Sequence, residues 1–310
     1  MHRASLFLIC LSLAACGDDD APAPTDAGID APPADAGPTL EAFADVRAFT
    51  EGLAIGRTPE GSSVLYASTR DDRIVRITPE GVVSDFVAMN DPLGIAVRDD
   101  GSLVVCAKRD DDVPVLFAIT AAGQISELIP AGPGDVSFGL TNFVAIAPDG
   151  SLVFTDSMSD HVFRADADGA NVTLITDTIT YPNGLAFSPD DATLYVASWD
   201  GRTVHALSFD ASTSTYGAPS VAIANVLNVD GVVATSEGAL YLVTSSRGLL
   251  RADPASSDPP LTVFPMAALA LPANGVFGDD AFGTSTLYLT SLANASIHRI
   301  TTPDTGAPLP

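Results

Sequence analysis

Six times along the chain a short apolar strand begins behind a distinctive pair of residues. The pairs are Glu51-Gly52, Leu93-Gly94, Asn142-Phe143, Asn183-Gly184, Asp230-Gly231 and Asn274-Gly275, and their second members are 42, 49, 41, 47 and 44 residues apart. A period of 40 to 50 residues made of strands, with no sustained helical pattern, is the signature of propeller blades. Each unit repeats an internal order as well. A turn such as Pro148-Asp149-Gly150 leads to a second strand such as Leu152 to Asp156, and a third strand follows, as at Ile74 to Ile77 and Val162 to Ala165. Runs of four to six apolar or alternating residues bounded by Asp-Gly and Pro-Asp turns are strand and hairpin signals. The expected fold is all-β, a six-bladed β-propeller over residues 41–306, with 307–310 as a tail. Residues 41–50 are placed to pair with the last blade and close the ring, which removes open sheet edges.

The first forty residues read differently. His2 and Arg3 precede the apolar run Leu6 to Leu13, too short to span a bilayer, and Leu13-Ala14-Ala15-Cys16-Gly17 follows. This resembles a bacterial lipobox, so residues 1–15 are expected to be a lipoprotein signal peptide and Cys16 the lipidation site. Residues 16–40 are rich in Asp, Ala and Pro, and read as a disordered acidic tether. Lipid chains on Cys16 would hold the protein to a membrane with no spanning helix. The expected location is the bacterial cell envelope, and Gly17 after the cysteine points to the outer membrane. The formal charge of −25, from 14 Lys plus Arg against 39 Asp plus Glu, repels phosphate backbones and argues against nucleic acid as a partner.

Function concentrates at the strand heads. Five of the six leading positions carry an oxygen-bearing side chain, although packing of the apolar strand behind them needs none. In a propeller the first strand of each blade is innermost, so equivalent head residues converge on the central channel. Glu51, Asn142, Asn183 and Asp230 would then supply two carboxylates and two amide carbonyls. Hard oxygen donors of this kind suit Ca²⁺, with Mg²⁺ and Mn²⁺ as alternatives. No histidine or cysteine joins them, which argues against structural zinc. A competing reading treats the Asn-Gly and Asp-Gly pairs as turn dipeptides that supply a positive φ. It accounts for Asn183, Asp230 and Asn274, but not for Glu51 or Asn142.

Several residues that invite a catalytic reading align with plain strand positions. Cys106 falls in a column with Ala67, Thr155, Ala197, Val243 and Thr290, and is expected to be a buried packing residue. His205 and His298 fall on third strands in register with Val75 and Phe163, and are also expected to pack. Trp199 sits just past a second strand, where an inter-loop role and substrate stacking are both open.

Taken with these motifs, residues 45 to 300 resemble the senescence marker protein, gluconolactonase and luciferin-regenerating enzyme family. The residues carrying the likeness are Glu51-Gly52, Thr141 to Asp156, Tyr181 to Asp190 with Leu194 to Ala197, and Pro272 to Gly278 with Leu287 to Ser291. The resemblance implies a central divalent metal held by Glu51, Asn183 and Asp230, with Asn142 in the metal shell or touching substrate. It implies hydrolysis of a lactone or related ester, with Asp230 as the catalytic residue that orients or deprotonates water. Sugar-lactone hydrolases of the family often carry an arginine and an aspartate where this chain has Leu140 and Phe143. A lactone or ester more apolar than gluconolactone is therefore expected, with Leu140, Phe143 and Asn274 as substrate or outer-shell positions. A monomer is expected. The alternative is a non-catalytic, lipid-anchored propeller that binds a protein, a glycan or a small ligand.

Overall fold

The computed structural model describes residues 38–308. The expected signal peptide, the expected lipidation site Cys16 and the expected tether up to residue 37 lie outside the described residues. Within them the hairpin turns act first. Gly61, Gly101 and Gly150 hold φ of 86°, 77° and 81°, the left-handed region that glycine enters without steric cost. Each turn folds an inner strand back on a second strand, as when Thr141–Ile146 pairs antiparallel with Leu152–Asp156.

Repetition of this unit produces six antiparallel sheets. Their inner strands are Thr50–Arg57, Ile95–Val97, Thr141–Ile146, Pro182–Phe187, Val229–Ala234 and Gly275–Phe277. Each inner strand touches the next, and that of blade six touches that of blade one, so the ring is closed. Blade six is completed from the other end of the chain. Leu40–Asp45 pairs with Ser296–Thr301 as its outermost strand.

The core is divided in the same way. Six clusters of buried apolar side chains each lie between neighbouring blades, such as Val104, Cys106 and Leu116 against Val144 and Phe154. Helix is confined to Met266–Leu269 and two short 3-10 turns. Among the described residues no helix is long and apolar enough to cross a membrane.

The end of the chain has a structural role that its reading as a tail did not anticipate. After blade six it crosses to blade five, where the Ala307 N–H donates to the Ala234 carbonyl. The Arg251 guanidinium donates two hydrogen bonds of 2.8 Å to the Asp304 carboxylate, which also accepts the Tyr241 hydroxyl at 2.7 Å.

Candidate metal centre

Four of the six inner strands are irregular at their heads. The pairing register shifts between Thr50 and Leu53, between Thr141 and Val144, between Pro182 and Leu185, and between Val229 and Gly231. Such bulges leave a residue out of the ladder and re-aim its side chain. The residues inside these shifts include Glu51, Asn142, Asn183 and Asp230. Blades two and six have short inner strands with no register shift, and these are the blades headed by Leu93 and Asn274.

The paired glycines have a different cause from the turn reading. None of Gly52, Gly94, Gly184 and Gly231 takes a positive φ. A Cβ on Gly52 would lie 2.2 Å from the Leu93 carbonyl oxygen, and one on Gly184 would lie 2.4 Å from that of Asp230. On Gly94 it would lie 2.6 Å from the Asn142 carbonyl oxygen. The glycines form a collar in which the backbone of one blade abuts the strand head of the next. Hydroxyls reinforce it. Ser68 accepts from the Gly52 N–H and donates to the Leu93 carbonyl, both at 2.7 Å. Thr155 links Phe143 to Asn183, and Thr290 links Asn274 to Glu51, in the same manner.

Above the collar is a pocket of about 270 Å³ lined by Glu51, Asn142, Asn183 and Asp230 together. Asp230, Asn183 and Asn142 are only 6%, 4% and 8% exposed, and Glu51 is half-buried. The Asn142 amide donates to the Ser157 hydroxyl at 3.0 Å, which donates to the Pro182 carbonyl. That leaves the Asn142 amide oxygen free to act as a donor to a cation. Burial pushes the Glu51 carboxyl up to about 7, opposed by the Arg70 charge and assisted by Asp91. Burial, and then the charge on Glu51, hold Asp230 well above the usual carboxylate range, with the Asn183 amide opposing. A buried carboxylate raised by a second one in this way is a site that a divalent cation would relieve.

The donor chemistry fits such an ion. Among the described residues no three His, Cys, Asp or Glu side chains gather into a metal-binding group, so the set of two carboxylates and two amides is what the channel offers. All four are oxygen donors, the preference of Ca²⁺.

The rest of the pocket comes from Leu93, itself a strand head, from Leu140 and Trp199, which the sequence also singles out, and from Arg70, Asp91, Tyr181 and Leu292, which the strand-head pattern does not reach. Asp91 bridges Arg70 at 2.6 Å and Lys108 at 2.7 Å. Asp91 and Tyr181 each have φ of 47° and stand two residues before a strand head. For a residue as bulky as Tyr181 this is an outlier, of a kind that gathers at ligand sites. Arg70, Trp199 and Leu292 follow second strands. Extending the alignment of those strands a few residues past their ends would have found them.

Two expected positions are corrected. Phe143 does not line this pocket: Asn142 and Phe143 share one register shift, and Phe143 lines a chamber at the other end of the channel. Asn274 is buried, but its Oδ1 accepts from the Gly275 N–H at 2.7 Å and backs onto Gly231. It braces the collar. Trp199 lines the pocket. Cys106 is fully buried, and burial pushes its thiol up. Strand pairing sets it level with Ser68 and not with Ala67. His205 and His298 are held below their ordinary value by burial and do not line the pocket.

A closed ring of six antiparallel blades with an oxygen-lined pocket in its channel defines a six-bladed β-propeller. Residues 52–293 match the model of the SMP-30/gluconolactonase/LRE-like region, and the chain belongs to that family. No curated protein matches the sequence. A gluconolactonase from Xanthomonas campestris superposes with a TM-score of 0.71 at 22% identity, covering 86% of this chain and 90% of that one. A luciferin-regenerating enzyme gives 0.71 at 19%, covering 88% and 99%. Regucalcin from Agrobacterium tumefaciens, a calcium-binding protein, gives 0.67 at 19%, covering 89% and 96%. At these identities the likeness concerns the fold.

Proposed function

We propose that this propeller is a Ca²⁺-dependent hydrolase of a lactone or related ester, acting in the pocket around Glu51 and Asp230. The observation that carries the reading is the gathering of two carboxylates and two amide side chains in one pocket, with both carboxylates raised by burial and Asp230 raised further by the charge on Glu51. Membership of a family that includes gluconolactonases supports the reaction class.

The chemistry a bound divalent cation supplies there is Lewis-acid polarisation of the substrate carbonyl. Glu51, Asn142, Asn183 and Asp230 would hold it. Asp230 orients the attacking water and accepts its proton, a task suited to a carboxylate tuned upward from its ordinary value. Leu93, Leu140, Leu292, Tyr181 and Trp199 offer the substrate a largely apolar wall, which favours a ring or acyl group with few hydroxyls. Unpaired sugar hydroxyls against such a wall would cost roughly 1 to 3 kcal/mol each. Arg70, held by Asp91, stands ready for a carbonyl or carboxylate oxygen.

The test is metal content after exhaustive dialysis, followed by hydrolysis of a panel of aliphatic, aryl and sugar lactones with and without chelator. Calcium-dependent turnover, strongest on apolar lactones, is expected. A metal-free protein whose melting temperature ignores added calcium would overturn the reading, because a ligand that binds the native state must stabilise it. Anchoring to the envelope through Cys16 is part of the same proposal. Incorporation of labelled fatty acid that is lost in Cys16→Ser would support it, and equal labelling of both would overturn it.

A further inference from the structure

The inner strands that carry polar heads above the collar are apolar below it. Ile55, Val97, Phe143, Phe187, Val233 and Val276, one from each blade, line a second chamber of about 460 Å³ at the other end of the channel. All but Ile55 are only partly buried, so the ring presents apolar surface left partly open by the described residues. A chamber of this size and lining falls in the range of small-molecule sites.

The rim decides what kind of molecule. It carries one cation, Arg57, and three carboxylates, Asp191, Asp279 and Asp280. Asp279 is already engaged, accepting from the Ser63 hydroxyl at 2.6 Å and from the Ala281 N–H at 3.0 Å, with Arg57 3.9 Å away. Asp191 and Asp280 are exposed and have no side-chain partner among the described residues. The mouth is bordered by Gly306, Ala307 and Pro308, in the segment fixed to blade five through Asp304. The site is therefore walled on that side by a tethered stretch of chain.

We propose that this chamber is a second binding site, distinct from the Glu51–Asp230 pocket, for a small organic cation with an apolar body. The body fills the ring of six side chains, and the positive group remains at the mouth, beside Asp191 or Asp280. A neutral molecule of the same shape gains the apolar contact alone. A carboxylate of that shape meets like charge at the rim.

The probes are 4-phenylbutylammonium, 4-phenylbutan-1-ol and 4-phenylbutyrate, titrated into the purified protein by calorimetry at moderate salt. The ammonium is expected to bind saturably and at least fivefold tighter than the alcohol, with the carboxylate weakest. Asp191→Asn with Asp280→Asn, both on the surface, should bring the ammonium down to the affinity of the alcohol and leave the alcohol unchanged. Val276→Gln, checked for folding by its melting temperature, should weaken both. The proposal is overturned if none of the probes binds, if ammonium and carboxylate bind alike, or if the double Asn variant binds the ammonium as the parent does. It is overturned equally if Glu51→Gln abolishes binding while the rim variants keep it, since the probe then occupies the upper pocket.

Discussion

The α-carbon of Gly184 faces the carbonyl oxygen of Asp230 so closely that a methyl group there would sit 2.4 Å from it. The next atom it would meet, the Gly231 Cα at 2.9 Å, is also backbone, so no flexible side chain can give way. Gly184→Ala must displace the strand head that aims Asp230. The expected cost is about 1 to 3 kcal/mol of stability, with weaker calcium binding as a separate loss. Urea denaturation and a calcium titration of the same variant read the two effects.

Asp230→Asn is expected to reduce turnover by at least about 100-fold, the scale of a lost general base. Its effect on the metal-free fold runs the other way. Removing the Asp230 carboxylate, which burial and the charge on Glu51 raise, relieves that repulsion, so the metal-free variant should melt at or above the parent's temperature while losing its response to calcium. Activity and calorimetry on one preparation check both halves. A variant that is inactive because it is unfolded would contradict the second.

The pH dependence follows from Glu51, whose carboxyl rises from an ordinary 4.5 to about 7 on folding. Between those values the folded protein holds a proton that the unfolded chain releases. Its contribution to stability is therefore complete below about 4.5 and is lost as pH rises through about 7. Cation binding requires the ionised form, so protons compete with calcium. At a hundredfold excess over Kd, calcium should add about 2.7 kcal/mol near pH 8 and much less near pH 5. Melting curves at the two pH values, with and without calcium, measure the difference. Equal increments would place calcium elsewhere.

The clasp at the chain end gives the opposite sign. Hydrogen bonds from Arg251 hold the Asp304 carboxyl below its ordinary value. Its stabilisation is present above about 3.8 and is lost as pH falls through the lowered value. Arg251 is partly exposed, so solvent screens the pair. Asp304→Asn should cost about 1 to 2 kcal/mol at pH 7 and little at pH 3, read from chemical denaturation at each pH.

The blades were legible because their spacing, turn residues and apolar runs all report the same backbone geometry. Glu51, Asn142, Asn183 and Asp230 were legible because each interrupts an apolar pattern at the same phase. The difference between these four and Asn274 was not, since it rests on a bulge that blade six lacks, and a one-residue change in pairing leaves no mark in composition. Phe143 was misplaced for a related reason. Adjacent residues at a bulge point into different chambers, while a motif read as a string treats them as neighbours. Arg70 and Asp91 were missed because an ion pair between the turn after one blade's second strand and the approach to the next blade depends on how neighbouring blades pack. The pairs that mark the strand heads showed where glycine is required, but the reason for it, the neighbouring backbone, belongs to another blade.

Leu40–Asp45 has its hydrogen-bonding partner in Ser296–Thr301, about 250 residues further on. During synthesis the earlier strand must wait, unpaired, until almost the whole chain has emerged. Closing so long a loop is slow compared with forming the hairpins within a blade. Blades one to five can therefore form in order while the ring stays open, and the last event joins the two ends of the propeller. Until then Glu51 and Asp230 are not held around a common centre, so competence to bind the proposed ion would arrive with ring closure and not with the folding of any single blade.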